Sequence, residues 1–150
     1  MYLDFDLIRY PNTSDLLPIV QGEGRSGLLI IIEAGTDTAA AEIDYLEKIA
    51  QAVQLAPIDK QLFRLAVSLD TTFNASQLAR HLGVERIIFF GVPPVKAGIK
   101  ARLPQYDWQR ISTLRILWAD AIQTIRQERE AGKKEKALAL WNALQVLTQE

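Results

Sequence analysis

The chain has 150 residues, 49% of them hydrophobic and 23% charged, with 17 Lys and Arg set against 18 Asp and Glu. That length suits one domain, and a chain of this size removes roughly 70% of its unfolded surface from water on folding. The charge balance supplies no global field for DNA or RNA, so direct nucleic-acid binding would need a local patch. The absence of cysteine excludes disulfides, thiolate nucleophiles and sulfur-ligated metals. With no basic leader ahead of Tyr10 and no apolar block long enough to span a bilayer, the sequence predicts a cytoplasmic protein without membrane contact.

In chain order, the first residues alternate weakly through Leu3, Phe5 and Leu7 until Pro11 interrupts them, a pattern that suits an edge strand or a docking arm. Gly22, Gly24 and Gly27 then make a mobile connection. Residues 28–32, Leu-Leu-Ile-Ile-Ile, predict a strand whose unbroken apolarity implies burial on both sheet faces. A turn follows, with Asp37 or Thr38 capping a helix from Ala39. In that helix Ile43, Leu46, Ile49 or Ala50, and Val53 repeat at helical spacing, while Glu42, Asp44, Glu47 and Lys48 are assigned to water. Pro57 stops it. Residues 62–67 return as a strand in which Arg64 is exposed or paired, and Asn74 caps a short helix that Gly83 ends.

Residues 83–94, Gly-Val-Glu-Arg-Ile-Ile-Phe-Phe-Gly-Val-Pro-Pro, are the most informative stretch. Arg86 to Phe90 predict a buried strand, Gly91 permits a tight turn, and Pro93 and Pro94 fix the backbone that follows, giving a rigid loop at the edge of a sheet. Residues 108–111 and 114–118 suit two short strands, and Asp120 can cap a helix over 121–129. Gly132 separates it from a final helix starting near Lys133 or Lys134, with Ala137, Leu140 or Trp141, Leu144 and Leu147 as its apolar stripe. The order strand, helix, strand, short helix, strand predicts an α/β fold: a three-layer open sheet, mainly parallel, with helices on both faces.

Lys96, Lys100 and Arg102 follow Gly91, Pro93 and Pro94 beyond a strand end, where open parallel sheets place ligand crevices. Such cations can meet a phosphate, a nucleic-acid backbone or an acidic partner peptide; the plainer reading is a rigid connection with solvent-facing bases. Asp37 and Glu33 can face the same crevice and position a water or a cation, their plainer roles being helix cap and solvent contact. His81, the single histidine, has no partner fixed by spacing and sits where it can simply meet helix-terminal carbonyls. The glycine-rich stretch precedes its strand and lacks the Lys that a phosphate loop requires, so no motif selects a cofactor or a metal. Trp108, Trp118 and Trp141, with Tyr106, are placed in the core or in contacts within the chain rather than stacked on bases beside Arg110 and Arg115. The final helix carries an interaction signal of its own: its Lys133-Lys134-Glu-Lys136 start is exposed while its stripe docks on the domain or on a partner.

Three segments, Arg86 to Pro94, Leu117-Trp-Ala-Asp-Ala-Ile122 and Lys134-Glu-Lys-Ala-Leu-Ala-Leu-Trp-Asn-Ala-Leu144, together resemble a group of uncharacterised bacterial proteins. That group is distantly similar to the psi subunit of DNA polymerase III and, in fold, to the uracil-DNA glycosylase superfamily. The resemblance spans residues 28–147 and implies a cytoplasmic α/β domain attached to replication or repair, psi-like proteins being non-enzymatic connectors in an assembly. Base excision is not implied. Where the glycosylases carry a Gly-Gln-Asp-Pro-Tyr-His loop this chain has Ala34-Gly-Thr-Asp-Thr-Ala39, in which only Asp37 matches the water-orienting acid, and their His-Pro-Ser loop is not reproduced near Trp118 and Asp120. The expectation is a non-catalytic protein-interaction or assembly domain. The alternative is a nucleotide- or phosphate-binding enzyme using the crevice around Asp37 and Lys96.

Overall fold

The structure of the protein is a computed structural model that describes residues 19–34, 40–68, 72–99 and 102–148. The expectations for the first eighteen residues, for Asp37 and Thr38 as caps, and for Lys100 lie outside the described residues.

Three nearly unbroken apolar runs form the centre of the molecule. Strand β1 (Leu28–Glu33) lies between β2 (Leu62–Val67) and β3 (Arg86–Phe90), parallel to both. Strand β5 (Leu114–Ala119) runs parallel to β3, and the short β4 (Gln109–Ile111) closes that side antiparallel to β5. The order is β2-β1-β3-β5-β4, the expected open and mainly parallel sheet. One expectation is corrected: β3 is the central strand, so the Gly91 loop leaves from a strand end and not from the sheet's edge.

Alternating side chains divide between two cores, because successive residues of a strand point to opposite faces. On one face Leu29, Ile31, Leu65, Ile87, Phe89 and Ile116 lie under α3 (Ala75–Leu82) and under Val92, Ala97 and Ile99 of the chain that follows β3. On the other, Leu28, Ile30, Ile32, Ile88, Phe90 and Leu117 lie under α1 (Ala40–Ala52), α4 (Ile122–Glu130) and α5 (Glu135–Thr148). A single helical turn, α2 (Ile58–Gln61), precedes β2. Each fully buried Leu, Ile or Phe contributes about 1.5–3 kcal/mol relative to leaving it in water, which makes the two cores the dominant stabilising term.

The short helix α3 shows how local sequence sets element ends. Asn74 Oδ1 accepts the Gln77 N–H at 3.0 Å, and Gly83, with φ 73°, turns its N–H back to the Ala79 and Arg80 carbonyls. Arg64 is paired, through Nη2 to Asp59 Oδ1 at 2.7 Å. Other local expectations give way to tertiary partners. The glycine-rich stretch is not a mobile connection: the Gln21, Glu23 and Arg25 N–H groups donate to the carbonyls of Arg64, Asp59 and Lys60, which pins it along β2 and α2. Glu42 is buried rather than facing water. Glu47 accepts the Ile58 N–H at 3.1 Å.

Candidate interaction groove

The burial of Glu42 on α1 is explained by Arg126 on α4, whose Nε donates to Glu42 Oε1 at 2.9 Å while its Nη1 donates to Glu130 Oε2 at 3.0 Å. The Glu42 and then the Glu130 hydrogen bonds raise the Arg126 pKa, so this guanidinium is a fixed cation between two carboxylates. Helix α4 packs against both α1 and α5. Between the three helices opens a groove of about 590 Å³.

Its floor is apolar, with Ile49 and Ala52 from α1 and Leu138 and Trp141 from α5. Leu138 is 57% exposed and Trp141 37%, so of the two places expected for Trp141 the core is excluded and a partly covered contact within the chain remains. Lys48, Arg129 and Lys134 stand around this floor and make no ion pair among the described residues. Tyr45 lies at the wall, its phenol pKa pushed up by burial, with Arg129 acting in the opposite direction. An apolar floor ringed by uncommitted cations can take up apolar side chains and, at its margins, carboxylates.

Asp120 does not cap α4. The residue before that helix is Ala121 and no side chain caps it. Asp120 Oδ2 instead accepts the Tyr106 hydroxyl at 2.7 Å, and the Tyr106 oxygen in turn accepts the Asp120 backbone N–H at 3.2 Å. Lys136 on α5 donates to Glu128 on α4 at 2.7 Å and lies 3.6 Å from Asp120. Burial, followed by the hydrogen bond to Asp120, pushes the Tyr106 pKa far above the usual phenol value of 10.0. The cluster ties the end of β5 to α4 and α5, two of the three helices that wall the groove. Trp108 adds a second tie, its Nε1 donating to the Ala143 carbonyl at 2.9 Å, and the Arg115 guanidinium lies 5.8 Å from the Trp108 ring centre.

The strand-end residues chosen from sequence are placed as follows. Gly91 turns with φ 74°, and a Cβ there would come 2.7 Å from the Ala121 Cβ. Pro93 and Pro94 lead into a single 3₁₀ turn, Pro94–Ala97, and with Arg102 and Trp118 they wall a hollow of about 180 Å³, room for little more than one side chain. Lys96 takes no part in that lining; it is half-buried, and its carbonyl accepts the Phe73 N–H at 2.9 Å. His81 is exposed in the last turn of α3. Pro93, Pro94 and Arg102 are thus brought together, Lys96 shares the turn through its N–H to the Pro93 carbonyl at 3.0 Å but does not line the hollow, and Asp37 and Lys100 fall outside the described residues. Sequence reasoning pointed to Lys134 and to the stripe of α5, and missed Lys48, Arg129 and the exposed Leu138. The visible signal for Leu138 is α5 itself, in which Leu138 and Val146 are surplus to the stripe that packs inward, whereas nothing local marks Lys48 on α1 or Arg129 on α4.

No protein-family model and no curated protein matches the chain. No helix among the described residues is long and apolar enough to cross a membrane. Among the same residues, no three His, Asp or Glu side chains come together as metal ligands do.

Proposed function

We propose that this domain is a non-catalytic protein-interaction module that receives a partner in the α1–α4–α5 groove. The DNA replication or repair setting comes from the resemblance carried by residues 86–94, 117–122 and 134–144. The observation that supports the reading is the pairing of exposed Leu138 and Trp141 with Lys48, Arg129 and Lys134 around one concavity of about 590 Å³. Interfaces concentrate binding energy in a few large apolar anchors, Trp foremost, while charged margins set orientation and partner choice.

The test is site-specific photo-crosslinking in cells, with the photoreactive residue at position 138 or, as a control, at His81 on the opposite face. A discrete adduct from position 138, absent from position 81 and lost on Trp141→Ala, is the expected result. Equal adducts from both positions, or purified protein that binds a nucleotide and loses it on Lys96→Ala, would overturn the reading in favour of a strand-end ligand site.

A further inference from the structure

We infer that the segment seated in the groove is an acidic amphipathic helix of a partner protein, its apolar face on Leu138 and Trp141 and its carboxylates against Lys48, Arg129 and Lys134. This rests on the interaction-module reading and adds the chemistry of the occupant. The first argument is sign. Of the charged residues that line the groove, Lys48, Arg129, Lys134 and Arg126 are cations and Glu130 is the single carboxylate. Glu130 and Glu42 share one guanidinium, that of Arg126, so the trio keeps one negative charge, and against the three cations Lys48, Arg129 and Lys134 the groove is left with a surplus of two positive charges. Carboxylates are their complement.

The second argument is shape. The walls are three helices, and a trough between helices with exposed apolar residues on its floor accepts a ridge of side chains, the form in which an amphipathic helix presents positions i, i+3, i+4 and i+7. A flat bilayer does not enter a concavity of this kind. A second copy of the chain related by a two-fold axis through the groove would set Lys48, Arg129 and Lys134 against their own equivalents, a like-charge arrangement that opposes closure. A nucleic-acid strand would meet the cations but would leave Leu138, Ile49 and Ala52 without apolar partners, whereas an amphipathic helix engages both.

The test uses the full chain and a synthetic fluorescent peptide about four turns long, with leucines on one face and glutamates on the other, read by anisotropy. A matched peptide carries lysine in place of every glutamate. The glutamate peptide is expected to bind at least about tenfold more tightly than the lysine peptide, and the double variant Lys48→Glu, Arg129→Glu is expected to reverse that order. Binding of the lysine peptide by the variant also reports that the variant is folded. Equal binding of both peptides, no binding of either, unchanged preference in the variant, or displacement of the glutamate peptide by single-stranded oligonucleotide or by anionic phosphatidylserine vesicles would each overturn the proposal. So would concentration-dependent dimerisation that the glutamate peptide reverses, which would make a second copy the occupant. Failure here with a position-138 adduct intact removes only the acidic helix, whereas loss of the adduct as well removes the interaction module.

Discussion

The two faces of the sheet are covered in different ways. Among the described residues one carries a single helix of eight residues, yet it is sealed but for the hollow at Trp118, because Ala75, Leu78 and Ala79 of α3 sit on the strands and Val92, Ala97 and Ile99 fill the space beside them. Among the described residues the other carries three longer helices that bury its strands as fully but leave their own layer open, because α4 holds α1 on one side and α5 on the other and a trough lined by no strand residue remains between them. Coverage of a sheet follows from how small residues and loops fill the gaps between helices, not from how many helices there are. The open face is where Leu138 and Trp141 are left exposed among the described residues.

The largest effect belongs to the sealed face. Phe89→Ala removes a fully buried ring from that core and should cost about 3–5 kcal/mol in chemical denaturation; a cost near zero would mean that the face is not packed as described. Gly91→Ala comes next, since the new Cβ meets Ala121 at the start of α4 and the backbone holds φ 74°, for a loss of about 2–4 kcal/mol. Gly83→Ala separates those two causes. Its φ of 73° is nearly the same but nothing lies within 4 Å, so the loss should be only about 1 kcal/mol. Equal losses at the two glycines would show that the approach of Gly91 to Ala121 carries no cost.

Tyr106→Phe tests the pin at the end of β5, where the Tyr106 hydroxyl holds the Asp120 carboxylate that Lys136 of α5 approaches. Removing the hydroxyl should cost about 1 kcal/mol near neutral pH, where the Asp120 bond is present. Because the phenol pKa is raised in the folded protein, the proton is held more tightly there than in the unfolded chain. The associated stability is complete below about pH 10 and declines as pH climbs above it. Denaturation midpoints followed from pH 8 upward should therefore fall less steeply in Tyr106→Phe than in the parent, and parallel curves would contradict this account of the pin. The smallest effect is Leu138→Gln, which keeps helix propensity and alters a 57% exposed side chain, and it should shift stability by no more than about 0.5 kcal/mol. A core-sized loss there would mean that the open face is closed.

Much of the architecture was legible in the sequence because it is encoded locally. The apolar runs at residues 28–32, 62–67 and 86–90 have no helical period, and Asn74 and Gly83 bracket α3 with side-chain and backbone chemistry confined to a few residues. What was hidden depends on distant partners. Glu42 looks solvent-facing until Arg126, 84 residues further on, reaches it. Asp120 looks like a helix cap until Tyr106, 14 residues earlier, donates its hydroxyl to it. The groove was half visible. The composition of α5 shows more apolar surface than one docking face needs, but the sequence does not say that α1 and α5 stand apart on either side of α4, and that separation is what exposes Leu138 and Trp141 together with Lys48 and Arg129.

The most direct test of the account is a ¹H–¹⁵N chemical-shift map of the full chain during titration with the glutamate-faced peptide. The account predicts perturbations concentrated on the Trp141 indole and on backbone amides around Ile49, Arg129 and Leu138, with the Val92, Val95, Lys96, Ala97 and His81 amides unmoved. Perturbations centred on Gly91, Val95 and Arg102, with Trp141 unchanged, would contradict it and move the site to the end of β3.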